Sequence, residues 1–370
     1  MALGVNVGAS MDVFRGFARR AAGRNPRMIP ARVLAWQWRG AAALLVAAML
    51  GAGSAGAQAP DARTLEAGRD LSASFEAGDV AVVWARMNKP MRDALGSEAA
   101  LADFGKHVIE SAGAEGATVS ETTAVDGDFR VYRRTAPRAK GGVFVTTWTF
   151  AADGAVAGFT ITPAAQPAPT AFLDYVTHAR LRLPFDGSWY VSWGGRTLAD
   201  NDHVIARDQR FAYDFVVRNS KSTHRGDGAR NEDYFAWDRP IVAPAAGIVV
   251  RAVDGVDDNR PAAMNPRQPF GNHVVIDLGN GEFAMLAHLR RGSVAVRAGT
   301  RVAAGRVIGR CGNSGNSSEP HLHFHVQNAA REGDVDGLPA QFIHYAADGV
   351  DIARGEPVRG QTVRSRWVQP

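Results

Sequence analysis

The stretch that decides how this chain is read is EPHLHFHV, residues 319–326. His321, His323 and His325 stand at every second position, with Leu322, Phe324 and Val326 between them. Residues two apart on an extended strand share a face, at roughly 6.5–7 Å between Cα atoms. The spacing therefore predicts a strand with imidazoles on one side and an apolar surface on the other. Two imidazoles so placed converge on a metal ion, or one binds it while the other handles a proton or an oxyanion. Histidines also decorate solvent-facing strand sides, and the triplet alone leaves these alternatives open. The approach to the strand, GNSGNSSEP, carries Gly312 and Gly315, which permit a tight backbone path, and Pro320, which fixes an extended start.

Two further polar residues sit in apolar surroundings. MLAHL (285–289) places His288 among Met285, Leu286, Ala287 and Leu289, an unusual position for a titratable group without a partner. QRFAYDFVV (209–217) places Asp214 in an otherwise apolar strand, where a buried carboxylate needs a cation or strong donors. One carboxylate and several histidines on β segments suit a divalent metal of borderline softness such as zinc.

Outward from this region, the chain divides by texture. Residues 1–59 read as a secretory signal: the apolar run AAALLVAAMLGA (41–52) follows arginines, and AGAQA ends at Ala59 in a small-x-small cleavage pattern. The long leading stretch makes Met28 an alternative start, with Arg32 and Arg39 as the positive flank. Without this segment's seven arginines and one aspartate, 35 basic residues face 36 acidic ones. The whole-chain net charge of +5 thus reflects export, and no nucleic-acid partner is expected. No other segment is long and apolar enough to span a bilayer. The mature protein is expected in the periplasm, with the extracellular space as the alternative. Cys311, the single cysteine, rules out an internal disulfide and reads as a small buried thiol.

Residues 60–163 show helix-like apolar spacing over 62–95 and 98–113. Strand-like alternation follows in DFRVYRRTA, GGVFVTTWTFAADG and AVAGFTITP, with Asp-Gly turn signals between. Helices followed by an antiparallel meander predict a small α+β domain, whose order is similar in pattern to the cone-shaped cystatin-like or nuclear-transport-factor-like folds. Residues 164–183 form a Pro/Ala-rich linker. From 184 to 345 short β segments cut by glycine predict a mainly antiparallel β domain, and 346–370 is a C-terminal extension with room for a last strand.

VAPAAGIVVRAVDG (242–255), GNHVVIDLGNGEFAMLAHL (271–289) and GSVAVRAGTRVAAGRVIGRCGNSGNSSEPHLHFHV (292–326) together resemble the lysostaphin-type, or LytM-like, zinc metallopeptidases. These cut peptide cross-links in bacterial peptidoglycan. The resemblance covers roughly residues 200–330 and rests on the spaced set AHL, GxxG and PHLHF. It implies one zinc ion per chain, with His323 and Asp214 as ligands and His288 and His321 as catalytic partners. It also implies a metal-activated water as nucleophile and peptidoglycan or its cross-linking peptides as substrate. His325 has no regular role in the family and reads as a neighbour of the ligand or as solvent-facing.

The sequence departs from the family at one point. The usual first motif is HxxxD, and here Arg210, which cannot bind a cation, stands four residues before Asp214. NDHVIARDQRFAYD (201–214) offers His203 as the missing nitrogen ligand, with His224 in STHRGDG as the reserve. His273 reads as packing on the sheet face, His178 and His344 as structural, and His107 as part of a helix surface. The insertion 218–240 is expected to wall a groove, its Tyr234, Phe235 and Trp237 either touching substrate or packing locally.

Two main functions follow. One is an exported zinc endopeptidase acting on peptidoglycan cross-links, with a protein or peptide outside the wall as a variant substrate. The other is a metal-free module that binds and activates a cell-wall amidase, as non-enzymatic relatives with lost ligands do. The presence of Asp214, His288, His321 and His323 favours the first; Arg210 stands on the other side.

Overall fold

Helical spacing early in the chain and period-two alternation later dictate two kinds of architecture. Both are present in the computed structural model, which describes residues 61–368 other than Lys221. The expected signal segment lies outside the described residues. Among the described residues no helix is long and apolar enough to cross a membrane.

Four helices come first: α1 (Ala62–Ala77), α2 (Val80–Arg86), α3 (Lys89–Leu95) and α4 (Glu98–Ala112). The side chains of Asp61, Asn88 and Ser97 accept from backbone N–H groups in the first turns of α1, α3 and α4, satisfying donors the helices leave orphaned. Strands β1 (Ser120–Asp126), β2 (Phe129–Arg138), β3 (Gly142–Phe150) and β4 (Val156–Pro163) form an antiparallel sheet in chain order. Helix α1 packs closely on it at Gly68, where a Cβ would come within 2.2 Å of the Tyr132 ring. The buried Trp148 donates its indole N–H to Ser72 at 2.9 Å and stacks on Phe159 at 3.8 Å. Leu71, Phe75, Val83 and Leu101 complete this core.

The remaining strands are β5 (Ser188–Trp193), β6 (Tyr213–Val216), β7 (Pro240–Val242), β8 (Gly247–Val253), β9 (Asn272–Asp277), β10 (Phe283–Leu289), β11 (Arg301–Val302) and β12 (Val307–Arg310). They are followed by β13 (Leu322–Gln327), β14 (Gly337–Leu338), β15 (Phe342–Ala347), β16 (Val350–Gly355) and β17 (Thr362–Ser365). An eleven-stranded sheet runs β11-β8-β9-β10-β13-β6-β5-β17-β15-β16, with β14 paired to β13, and β12 pairs with β7 separately. Its pairings are antiparallel throughout.

Alternation on β13 sends Leu322, Phe324 and Val326 into the main core, beside Phe215, Leu286, Val274 and Phe342. A smaller cluster of Phe270, Val275, Met285 and Ala287 is separate from it. Met285 and Ala287 pair with His325 and His323, so their cluster shares the histidine face, and β13 is buried on both sides.

Two segments differ in detail from the sequence expectation. The C-terminal extension, read with room for a last strand, contributes two strands to the large sheet, residues 350–355 and 362–365, β17 lying between β5 and β15. The Pro/Ala-rich linker has no core of its own, but Phe172, Tyr175, Leu181 and Leu183 pack on or within the large one. Glu282 binds this segment down, accepting from Tyr175 Oη and from the backbone N–H groups of His178 and Ala179.

Candidate metal centre

Register places the first two polar groups. On β13, His323 lies opposite Ala287 of β10 on one side and Asp214 of β6 on the other. Residues directly opposed across an antiparallel pair project to the same face with Cβ atoms roughly 5 Å apart. His323 Nδ1 accordingly lies 2.9 Å from Asp214 Oδ1.

The third group arrives from outside the sheet. His203 is on a 3₁₀ turn, Asp202–Ile205, and the preceding Asn201 fixes that turn. The fully buried Asn201 side chain accepts from the His203 N–H at 3.2 Å and donates to the carbonyls of Gly195 at 3.0 Å and Ala212 at 2.9 Å. Tying the turn to Ala212, two residues before Asp214, brings His203 Nε2 to 3.0 Å from Asp214 Oδ2. One ligand atom each from His203, Asp214 and His323 lie within 4.8 Å of one another. Two imidazole nitrogens and a carboxylate oxygen make a donor set suited to zinc, one short of its usual four ligands.

His321 and His288 flank this group. His321 Nε2 is 3.5 Å from Asp214 Oδ1, while its Nδ1 lies 2.8 Å from the Glu319 carbonyl. His288 sits at an irregularity in the β9–β10 pairing, with φ of +59°, a left-handed conformation that costs a non-glycine residue of order 1–3 kcal/mol. It is held there from both sides: its N–H donates to the Phe270 carbonyl and its carbonyl accepts from Gly312, both at 3.1 Å. Its Nδ1 lies 2.8 Å from the Ser314 carbonyl. Carbonyls only accept, so His288 and His321 each carry a proton on Nδ1. The His288 ring centroid is 4.7 Å from that of His321 and 5.6 Å from that of His323.

The glycines singled out in the approach are needed where expected. A Cβ on Gly312 would sit 2.3 Å from the Arg290 nitrogen, and one on Gly315, whose φ is +82°, 2.4 Å from the Gly271 nitrogen.

Burial opposes charge throughout the cluster, and Asp214 decides where charge survives. Burial alone would raise the Asp214 carboxyl; His203 and His321 overcome it and hold the group well below the usual carboxylate range. Burial also works against protonation of His203 and His321. The Asp214 carboxylate nevertheless raises both above the ordinary histidine value, His321 to about 9. At His288 burial, with His321 and His323 nearby, pushes the imidazole far down. At His323 burial outweighs Asp214 and lowers the ring.

The other sequence-identified residues fall into place around this centre. Arg210 is buried, and its guanidinium donates to the carbonyls of Ala168 and Arg196, each at 3.2 Å. His224, the reserve ligand, packs its ring against Tyr234 instead. Phe235 of the same insertion packs on the large core, so at least these two loop aromatics pack locally. His273 is buried on the sheet with Nδ1 at 2.9 Å from the Gly271 carbonyl, and His107 is exposed on α4. His325 is not solvent-facing: it is fully buried, with Nδ1 3.0 Å from His323 Nε2. Sequence reasoning missed Asn201 and Gln327. The period-two pattern that exposes His325 continues to Gln327, whereas nothing in the sequence ties Asn201 to Ala212.

Residues 232–335 match Peptidase family M23. That span contains His288, His321 and His323 and leaves His203 and Asp214 upstream. The peptidoglycan DD-endopeptidase ShyA of Vibrio cholerae is 33% identical over 143 residues, covering 38% of this chain and 30% of that protein. The chain thus spans under a third of the length of that curated relative. Among solved structures, a mutant catalytic domain of the prophage-encoded M23 protein EnpA from Enterococcus faecalis is 18% identical, with a TM-score of 0.28 over 43% of this chain and 94% of that one. The catalytic domain of the antimicrobial peptidase lysostaphin from Staphylococcus simulans is 20% identical, with a TM-score of 0.25 over 40% of this chain and 86% of that one.

Proposed function

We propose, with a peptidase family M23 domain at residues 232–335 as the premise, that the chain is an exported zinc-dependent endopeptidase. Its substrate on this reading is the peptide cross-links of peptidoglycan, and its place of action the periplasm or the cell exterior. The observation that carries the reading is the convergence of His203 and His323 on the two oxygens of Asp214, with His288 and His321 beside them.

His203, Asp214 and His323 would hold one zinc ion per chain. A zinc bound by three protein ligands keeps a position for water, lowers that water's pKa towards neutrality and polarises a carbonyl. The chain's own residues supply the rest. His288, whose Nδ1–H donates to the Ser314 carbonyl, would use Nε2 to take a proton and pass it to the leaving amine. His321, anchored at Nδ1 by the Glu319 carbonyl, presents Nε2 on the Asp214 side, where as an imidazolium it would stabilise negative charge developing on the carbonyl oxygen. The insertion over 218–240 is tied to the approach of β13 by the Thr223 hydroxyl, which donates to Glu319 at 2.7 Å, and would border the substrate.

The amidase-activator reading rests on a lost ligand. His203 offers a nitrogen beside Asp214 in that ligand's place, so no observation favours the activator. Incubation of the full chain with cross-linked muropeptide dimers, followed by chromatography and mass analysis, tests the proposal. Dimers should be converted to monomers with zinc present, and should persist with a chelator or with His288→Ala. Dimers left intact by zinc-loaded wild type would overturn it.

A further inference from the structure

On β13 two more polar side chains follow His323 on the same face, and the reaction as proposed uses neither. His325 and Gln327 are 0% and 1% exposed, and the Phe270 ring lies against both His323 and His325, with centroids 6.2 and 5.8 Å away. Buried polar groups this far from water are retained only when their hydrogen bonds are satisfied, and here the order of those bonds has a direction.

The direction begins at Gln327. Its Nε2 lies 2.6 Å from the Ala329 carbonyl and 2.8 Å from the Arg331 carbonyl. Both carbonyls can only accept, so the amide NH₂ must face them and Oε1 must face the other way. Oε1 is 2.9 Å from His325 Nε2, which therefore donates and carries a proton. A neutral imidazole protonated on Nε2 has a lone pair on Nδ1. That lone pair faces His323 Nε2 at 3.0 Å, so His323 Nε2 must in turn be the donor. The neutral His323 ring is left with an unprotonated Nδ1, 2.9 Å from Asp214 Oδ1. Two acceptors at that distance repel unless a cation lies beside both.

We propose that His325 and Gln327 are positioning residues that fix the proton of His323 on Nε2 and turn its Nδ1 lone pair towards a cation shared with Asp214. The inference rests on the metal-binding role of His323 given above. Two backbone carbonyls of the 329–331 segment thus set, through three side chains spaced two residues apart, which nitrogen of the ligand is available. Partners of this kind typically change metal affinity by about 10- to 100-fold when removed.

Two measurements on the full chain test this. Long-range ¹H–¹⁵N correlation spectra of the metal-stripped, histidine-labelled wild type should show both His323 and His325 protonated on Nε2. A His325 protonated on Nδ1 would overturn the proposal without any variant. Zinc affinity, read by competition with a chromophoric chelator, should fall about 10- to 100-fold in His325→Phe, which keeps bulk and offers neither acceptor nor donor. It should stay within about threefold of wild type in His325→Gln, whose amide repeats the acceptor and donor in the same order. His325→Phe binding as tightly as wild type, or His325→Gln binding as weakly as His325→Phe, would contradict it. Wild type that takes up no zinc while showing the expected tautomers would instead count against the metallopeptidase reading, which separates the two failures.

Discussion

His203 Nε2 lies 3.0 Å from Asp214 Oδ2, although the two residues are 11 positions apart in the chain with Arg210 between them. Arg210 supports this approach. Arg210 turns to the carbonyls of Ala168 and Arg196, and Ala168 in turn donates its N–H to the carbonyl of Val204, next to His203. The arginine is part of the clamp around the turn that carries the histidine.

A histidine at position 210 is therefore not expected to take the place of His203. The double variant His203→Ala/Arg210→His should not recover the zinc lost by His203→Ala, because position 210 faces the Ala168 side. Arg210→Ala should leave two carbonyls without their donor, at a cost of about 1–3 kcal/mol in stability, and weaken zinc binding less than His203→Ala does. Thermal melting and chelator competition on the three proteins distinguish these outcomes.

On the proposed reading His288 handles protons and does not bind the metal. His288→Ala should keep its zinc and lower the turnover of cross-linked peptide by about 10²- to 10⁴-fold. Parallel loss of zinc would move His288 into the ligand set.

Gly315→Ala should act on the same residue from a distance. The substitution strains a φ of +82° and drives a Cβ into the Gly271 nitrogen, next to Ser314, whose carbonyl anchors His288. Denaturant melts should show a loss of at least about 1–3 kcal/mol, and residual turnover should be low even where the protein remains folded.

Much of this centre was legible in the sequence because it obeys strand periodicity. His321, His323 and Asp214 declare their strands and faces locally, and His288 stands out among apolar neighbours. What was not legible depends on contacts distant in the chain. The turn that delivers His203 is set by Asn201 reaching Ala212, and the left-handed backbone at His288 by Phe270 and Gly312. Strand β16 gives a weak signal because its residues are largely exposed and alternate little.

The α+β core carries its own pH signature. Glu115 lies 2.7 Å from Arg134 and 3.6 Å from the buried Arg138, yet burial, reinforced by Glu76, raises its carboxyl above the ordinary value of 4.5. A folded value above the unfolded one gives a contribution fully present below about pH 4.5 and lost as the pH rises through the folded value. Wild type should thus lose stability in this core from pH 4.5 towards neutrality relative to Glu115→Gln. The indole N–H signal of Trp148 in urea titrations at several pH values checks this; parallel pH profiles for the two proteins would contradict it.

The central claim, a metal held by His203 beside Asp214 and His323, is tested most directly by elemental analysis of the full chain, wild type and His203→Ala side by side after zinc loading and dialysis. About one zinc per chain in wild type, lost in the variant, is the predicted result. Zinc retained in full by the variant, or wild type that stays metal-free, would contradict it.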